Sequence, residues 1–227
     1  MAEPILELYL ARHGQSTGNA GLTDGADPSL TDLGRTQARL LGEFYARIPF
    51  DAILSSGLER ALETAEAVAS RQARPVRVEV HPVFTECGVK PDFGEKPFEE
   101  IAARHPYAVP AAGLSPDESF VFTGDGETDD ARFARARQAL AYLFGRFHEG
   151  QRVLVAAHAE ILTFLLFAAL DLGPTPKFDF SFVNTGVTKL LFYKAGEGPY
   201  GADVHLVFHN DRSHLAEDFA DALINAR

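Results

Sequence analysis

Apolar residues run without interruption from Leu6 to Ala11 and stop at Arg12-His13-Gly14, which predicts a buried strand that ends in a loop. Thr31 to Ile48 then carries apolar residues at helical spacing behind a Thr-Asp start signal. Asp51 to Ser55 reads as a short strand, about Leu58 to Ser70 as a helix, and Val76 to Val80 as a strand with β-branched alternation. From Pro82 to about Asp129 the periodicity dissolves into Pro, Gly and aromatic residues. That stretch is too long for an ordinary connection, so it is expected to be a lid or a substrate-selecting insertion. Regular spacing returns with a helix from about Asp130 to Glu149, a strand at Arg152 to Ala157 and an apolar helix from about Ile161 to Leu170. Strands near Val187 to Tyr193 and Val204 to His209 flank a Gly196-Glu197-Gly198-Pro199 turn and read as a hairpin. The pattern predicts one α/β domain over residues 1–227: a three-layer sandwich whose central sheet is mainly parallel with an antiparallel edge strand, and whose helices cover both faces.

Open α/β sheets bind ligands beyond the carboxyl ends of their strands, where His13 and His158 both fall. Arg12 adjoins His13, and Arg60 lies just inside the helix after the second strand, so four potentially cationic groups can converge on one phosphate. Gly14 omits a side chain where the backbone would pass close to such an anion, and Gln15, Ser16 and Asn19 offer neutral hydrogen-bond donors around it. Taken singly these residues say little. A lone histidine on an apolar run is usually a core residue, Arg60 beside Glu59 and Glu63 reads as a surface arginine, and Asn19 reads as a turn residue. The set as a whole points to phosphate.

Composition narrows the possibilities. A chain of 227 residues, 46% hydrophobic, can bury one substantial core. A formal charge of −11 with scattered Lys and Arg argues against a nucleic-acid partner and requires any anion site to be a local concentration of cations. The lone cysteine, Cys87, excludes an internal disulfide and a thiolate metal cage. There is no signal-like leader and no apolar run of membrane-spanning length, so a cytoplasmic protein without a membrane partner is expected, and nothing specifies an oligomeric state. His81, His105, His148, His205, His209 and His214 lack partners at ligand spacing and read as surface or packing residues. Asp203-Val204-His205 resembles the opening of a two-metal site, but the further Asp, Asn and His clusters of that class are missing; no metal and no cofactor is expected. Phe93, Phe98, Tyr107, Phe120 and Phe122 either line a substrate pocket or pack the insertion onto the domain.

The run Leu10-Ala11-Arg12-His13-Gly14-Gln15-Ser16 on to Asn19 resembles the signature of the histidine phosphatase superfamily, also called phosphoglycerate-mutase-like. The resemblance continues through Leu30-Thr31-Asp32-Leu33-Gly34 with Gln37-Ala38, Ser55-Ser56-Gly57-Leu58-Glu59-Arg60-Ala61 with Thr64-Ala65, and Val155-Ala156-Ala157-His158. Weaker echoes occur at Asn184-Thr185-Gly186-Val187-Thr188 and at Asn210-Asp211 with Ser213-His214-Leu215. The resemblance implies that His13 attacks phosphorus and becomes a phosphohistidine, that Arg12, Arg60 and His158 hold the phosphoryl oxygens, and that Glu86 donates the proton to the leaving group. Glu86 leads into Cys87-Gly88-Val89-Lys90-Pro91-Asp92-Phe93-Gly94-Glu95 and not into the Gly-x-x-Glu-Gly run of many relatives, so Asp92 and Glu95 stand as alternative donors. Ala159 also follows His158 where the family usually has Gly. The implied activity is hydrolysis of a small phosphorylated metabolite. The alternatives are mutase-type phosphoryl transfer, which needs enclosing segments and a covering tail, and a silent relative that only binds phospho-ligands.

Overall fold

The computed structural model describes residues 2–23, 25–124 and 126–215. In chain order the strands are β1 (Leu6–Arg12), β2 (Ala52–Ser55), β3 (Val78–Val80), β4 (Ala108–Pro110), β5 (Gln151–Ala157), β6 (Val187–Phe192) and β7 (Val204–Asp211). The helices are α1 (Asp32–Tyr45), α2 (Glu59–Ala69), α3 (Phe98–Ala102), α4 (Asp129–Arg146) and α5 (Ala159–Ala169). The strands form one seven-stranded sheet ordered β4-β3-β2-β5-β1-β6-β7, parallel from β4 to β1, with antiparallel pairing of β1 with β6 and of β6 with β7 at the other end. The three-layer α/β sandwich expected from the hydrophobic pattern is the fold observed.

Alternation along the strands builds two cores. Leu6, Leu8 and Leu10 of β1 join Val153 and Val155 of β5 under α4 and α5, while Tyr9, Ala11, Leu154 and Ala156 face α1 and α2. Thr31 caps α1 by accepting from Gly34 N at 3.0 Å, and Thr128 caps α4 by accepting from Ala131 N at 3.3 Å. Among the described residues no helix is long and apolar enough to cross a membrane.

The stretch at 82–129 is more ordered than its composition suggests. It contributes α3 and the edge strand β4, whose Ala108 pairs with Val78 and whose Pro110 is tolerated because the strand lies at an edge. Phe120 is fully buried, its ring 5.2 Å from that of Phe98, and Phe98 and Tyr107 pack on the core beside α2. These aromatic residues fasten the segment to the domain.

Several histidines have specific partners. His105 is buried between Glu59 and Glu66, at 3.2 and 3.0 Å; burial opposes its protonation, but the two carboxylates prevail and raise its pKa to about 9. His81 Nδ1 accepts from Val83 N at 3.1 Å, whereas His148 and His205 are exposed. Asp203 Oδ1 accepts from Gly196 N at 2.6 Å and so shapes the β6–β7 connection.

Gly34, in the first turn of α1, packs against the loop after β1 so closely that an added β-carbon would overlap the carbonyl of Gln15. Gly145, near the end of α4, would meet nothing within 4 Å. Alanine favours a helix over glycine by roughly 1 kcal/mol, whereas overpacking against backbone costs about 1–3 kcal/mol, so the two positions should respond with opposite signs. Urea unfolding is expected to give a lower midpoint for Gly34→Ala and an unchanged or higher one for Gly145→Ala.

Candidate active site

The register of the sheet brings the histidines together. β1 and β5 are neighbours with Arg12 opposite Ala157, so His13 and His158 leave the sheet side by side: His13 N donates to Ala157 O at 2.9 Å, and the ring centroids are 5.1 Å apart. β2 flanks β5 with Ser55 opposite Ala156, which carries Ser56 Oγ to 2.7 Å from His158 Nε2. One turn later Arg60, the second residue of α2, donates from Nε to His13 Nε2 at 3.2 Å. Arg60 is therefore no surface arginine paired to Glu59 or Glu63; it faces the histidines.

Two hydrogen bonds define the His13 tautomer. Nδ1 lies 2.6 Å from Gly14 O, an atom that only accepts, so Nδ1 carries the proton; Nε2 receives the Arg60 N–H and therefore holds the lone pair. Burial, then Arg60 and Arg12, holds His13 well below the usual histidine range, so the ring is neutral at physiological pH. His158 is depressed in the same direction by burial, Arg60, His13 and Arg12, so in the free protein it too is neutral. Its Nε2 lies 2.7 Å from the Ser56 hydroxyl, whose oxygen accepts from Leu58 N at 3.3 Å.

Two donors at this spot, Arg12 Nε and Arg60 Nη1, are buried and find no acceptor among the described residues, and His158 Nδ1 beside them is buried without a partner there. A buried donor left unmatched costs about 1–3 kcal/mol, so a cluster of them marks a place shaped to meet acceptor oxygens. Arg12 is steadied by Nη1 donating to Phe182 O at 2.6 Å. Burial lowers the pKa of both guanidinium groups and Glu86 opposes this, but neither loses its charge.

Glu86 is the carboxylate electrostatically coupled to both arginines. Its Oε1 accepts from Cys87 N at 3.0 Å and from Ile161 N, in the first turn of α5, at 3.2 Å. Burial raises its pKa despite these bonds and Arg60, which favours the protonated acid. Asp92 and Glu95 are exposed.

Other expected contributors have different roles. A β-carbon on Gly14 would press on Gly34 O, so this glycine serves the contact between loop and α1, while Gly14 N donates to Thr64 Oγ1 at 3.0 Å. Gln15 Oε1 accepts from the Thr31 hydroxyl at 2.8 Å, which ties that side chain to the α1 cap. Ser16 Oγ accepts from Asn19 N at 3.1 Å. Asn19 Oδ1 takes Ser16 N and Asn184 Nδ2, both at 3.3 Å, which leaves its amide N–H groups to serve a ligand.

The residues that hold the site were not assigned from sequence. Asn184 Nδ2 donates to His13 O at 3.0 Å, and Thr185, with φ 56°, donates its N–H to Arg12 O at 3.0 Å and meets His214 Nε2 through its hydroxyl at 2.9 Å. The two weak echoes thus meet at one corner under the β1 end. Lys96 Nζ donates to Gly57 O at 2.8 Å and Asp27 Oδ2 at 2.6 Å, bracing the turn between Ser56 and Arg60. Buried Arg135 of α4 binds Val83 O and Thr85 O at 3.1 and 2.6 Å and both Glu127 oxygens at 2.8 Å, clamping the segment that presents Glu86. Such contacts span the fold and leave no local signal. Glu86, Cys87 and Glu160 group metal-ligand atom types within 4.8 Å, but burial pushes the Cys87 thiol up to about 12 and raises Glu86, so both resist the deprotonation that ligation requires.

The family model described as histidine phosphatase superfamily (branch 1) matches residues 8–199. The adenosylcobalamin/alpha-ribazole phosphatase of Salmonella typhi is 30% identical over 169 residues, 71% of this chain and 78% of that protein. The glucosyl-3-phosphoglycerate phosphatase of Mycobacterium tuberculosis is 31% identical over 177 residues, covering 73% and 75%. Among solved structures, Bacillus stearothermophilus YhfR superposes with a TM-score of 0.64 at 27% identity, covering 92% of this chain and 98% of that one.

Removing the clamp under Glu86 has a calculable consequence. Arg135→Ala leaves the Glu127 carboxylate and two carbonyls buried without partners, a change expected to cost about 3–5 kcal/mol. Chemical denaturation should show this loss; a change under about 1 kcal/mol would mean that water replaces the guanidinium.

Proposed function

The chain belongs to the histidine phosphatase superfamily and is a phosphoric monoester hydrolase, and we propose that it cleaves a small phosphorylated metabolite through a phosphohistidine on His13 Nε2. The observation that carries this reading is the lone pair of a neutral, hydrogen-bond-oriented imidazole set beside two buried guanidinium N–H groups that have no acceptor among the described residues. The relatives named adenosylcobalamin/alpha-ribazole phosphatase and glucosyl-3-phosphoglycerate phosphatase are named for phosphorylated metabolites, which supports a substrate of that class.

In the first step the phosphoryl group displaces the Arg60 hydrogen bond from His13 Nε2, and the guanidinium turns its donors onto the phosphoryl oxygens. The Nε2 lone pair forms the N–P bond in line as the bond from phosphorus to the leaving oxygen breaks. The proton of Glu86 passes to that oxygen, and positive charge building on the ring is stabilised by Nδ1–H donating to Gly14 O. Arg12, Arg60 and His158 Nδ1 meet the equatorial oxygens, with Asn19 at the rim. In the second step water attacks phosphorus and gives its proton to the Glu86 carboxylate; the N–P bond breaks, inorganic phosphate leaves and both side chains return to their starting states. A phosphate dianion between the imidazoles would draw the His158 pKa back up, so its charge accompanies the ligand.

This scheme requires His13 without a proton on Nε2 and Glu86 with one. His13 is depressed and Glu86 raised, so activity should fall at low pH as His13 gains a proton and at high pH as Glu86 loses its own. Glu86→Gln is expected to lower kcat by about 10²–10⁴-fold and to erase the alkaline limb. An alkaline limb that survives this substitution would pass the role to Asp92 or Glu95. Acid-labile label from a ³²P-phosphomonoester should appear on the protein and vanish in His13→Ala; turnover without it would refute the covalent route. Because guanidinium groups supply the positive charge here, kcat should be indifferent to EDTA, and a loss reversed by a divalent ion would count against the scheme.

A further inference from the structure

Beside the phosphate cradle, a cavity of about 600 Å³ lies between α5 and the segment 174–182, outside the insertion expected to select the substrate. Its wall is a chain of aromatic contacts: the ring of Phe164 lies 5.6 Å from that of Phe167, Phe167 lies 6.0 Å from Phe180, and Phe180 lies 5.6 Å from Phe178. Phe178 is 55% exposed at the mouth.

Two contacts join this cavity to the reacting centre. Phe182, which lines it, holds Arg12 through its carbonyl at 2.6 Å. Ala159, Glu160 and Thr163 also line it, and they belong to the same end of α5 whose Ile161 N–H binds the Glu86 carboxylate. The acid must face the leaving oxygen, so whatever is attached to that oxygen emerges beside this part of α5.

Charge sets a second condition. The lining carboxylates are Asp129, Glu160 and Asp179, and the nearby Arg132 is already paired with the first two at 3.1 and 2.8 Å. An anionic leaving group finds no unpaired cation in this lining, whereas a neutral or cationic aromatic group finds an aromatic wall and an acidic rim.

Resting on the phosphohydrolase reading above, we infer that this cavity receives the leaving group, and that the preferred substrates are phosphate monoesters of alcohols bearing an uncharged or cationic aromatic ring, with Phe178 a determinant of that choice.

Benzyl phosphate and propyl phosphate share a primary alkoxide leaving group, so the ratio of their kcat/KM reports ring recognition and not intrinsic reactivity. The expected ratio is about tenfold or more in favour of benzyl, and 4-carboxybenzyl phosphate should fall below benzyl phosphate. Phe178→Ala should shrink the benzyl-to-propyl ratio by roughly 3- to 10-fold, chiefly through KM, and Phe178→Tyr should restore it. A circular-dichroism melt of each variant checks that the fold is intact. A ratio near one that Phe178→Ala leaves unmoved overturns the inference while the phosphohydrolase reading stands. No hydrolysis of either ester overturns both.

Discussion

Two half-buried guanidinium groups and two buried imidazoles share one small space, and the fold must hold them there against their mutual repulsion. Arg60 depresses Arg12, and both depress His13 and His158. A counter-charge to Arg60 comes from Asp27, in the loop before α1, whose Oδ1 accepts from Glu59 N at 2.8 Å. Much of the surrounding structure can be read as support for that concentration of charge. Phe182 O anchors one guanidinium, and Thr64 Oγ1 accepts Gly14 N while donating to Arg60 O, tying the loop that carries His13 to the helix that carries the other. Keeping the imidazoles neutral limits the repulsion until an anion arrives.

The fold was legible because it is written in periodicities. Continuous apolar runs marked β1 and β5, and their ends marked the two histidines, since parallel strands that are both buried must stop at the same face. The strand β4 escaped notice for a physical reason: at three residues with a proline it has no period, and it exists only because β3 offers an edge to pair with. The stretch around it, read as a lid or binding segment, packs its aromatic residues Phe98, Tyr107 and Phe120 on the domain core.

Within the site, residue identity was more legible than residue role. Arg12, His13 and His158 at their strand ends and Arg60 at the start of α2 converge, whereas Gln15 and Ser16, adjacent in sequence, turn their side chains to caps and turns. Gly14 was read as making way for an anion, but the atom it makes way for belongs to Gly34. Arg135 and Lys96 lie far along the chain from the groups they steady, and nothing near them in sequence announces a partner. Local pattern can name a chemical group, but the packing decides what that group touches.

The first turn of α5 serves two masters. His158 stands at its N-cap position, Ile161 N–H fastens the general-acid candidate, and Thr163 reaches from the same helix to Phe180 O at 3.0 Å. Any sideways drift of this helix that widened or narrowed the aromatic cavity would also move the His158 imidazole and the Glu86 carboxyl. On the proposed reading, changes of substrate preference would fall on the facing segment at 174–182 and not on the helix, with Phe182 held fixed because its carbonyl anchors Arg12. In such a layout the scaffold separates a frozen wall from a tunable one.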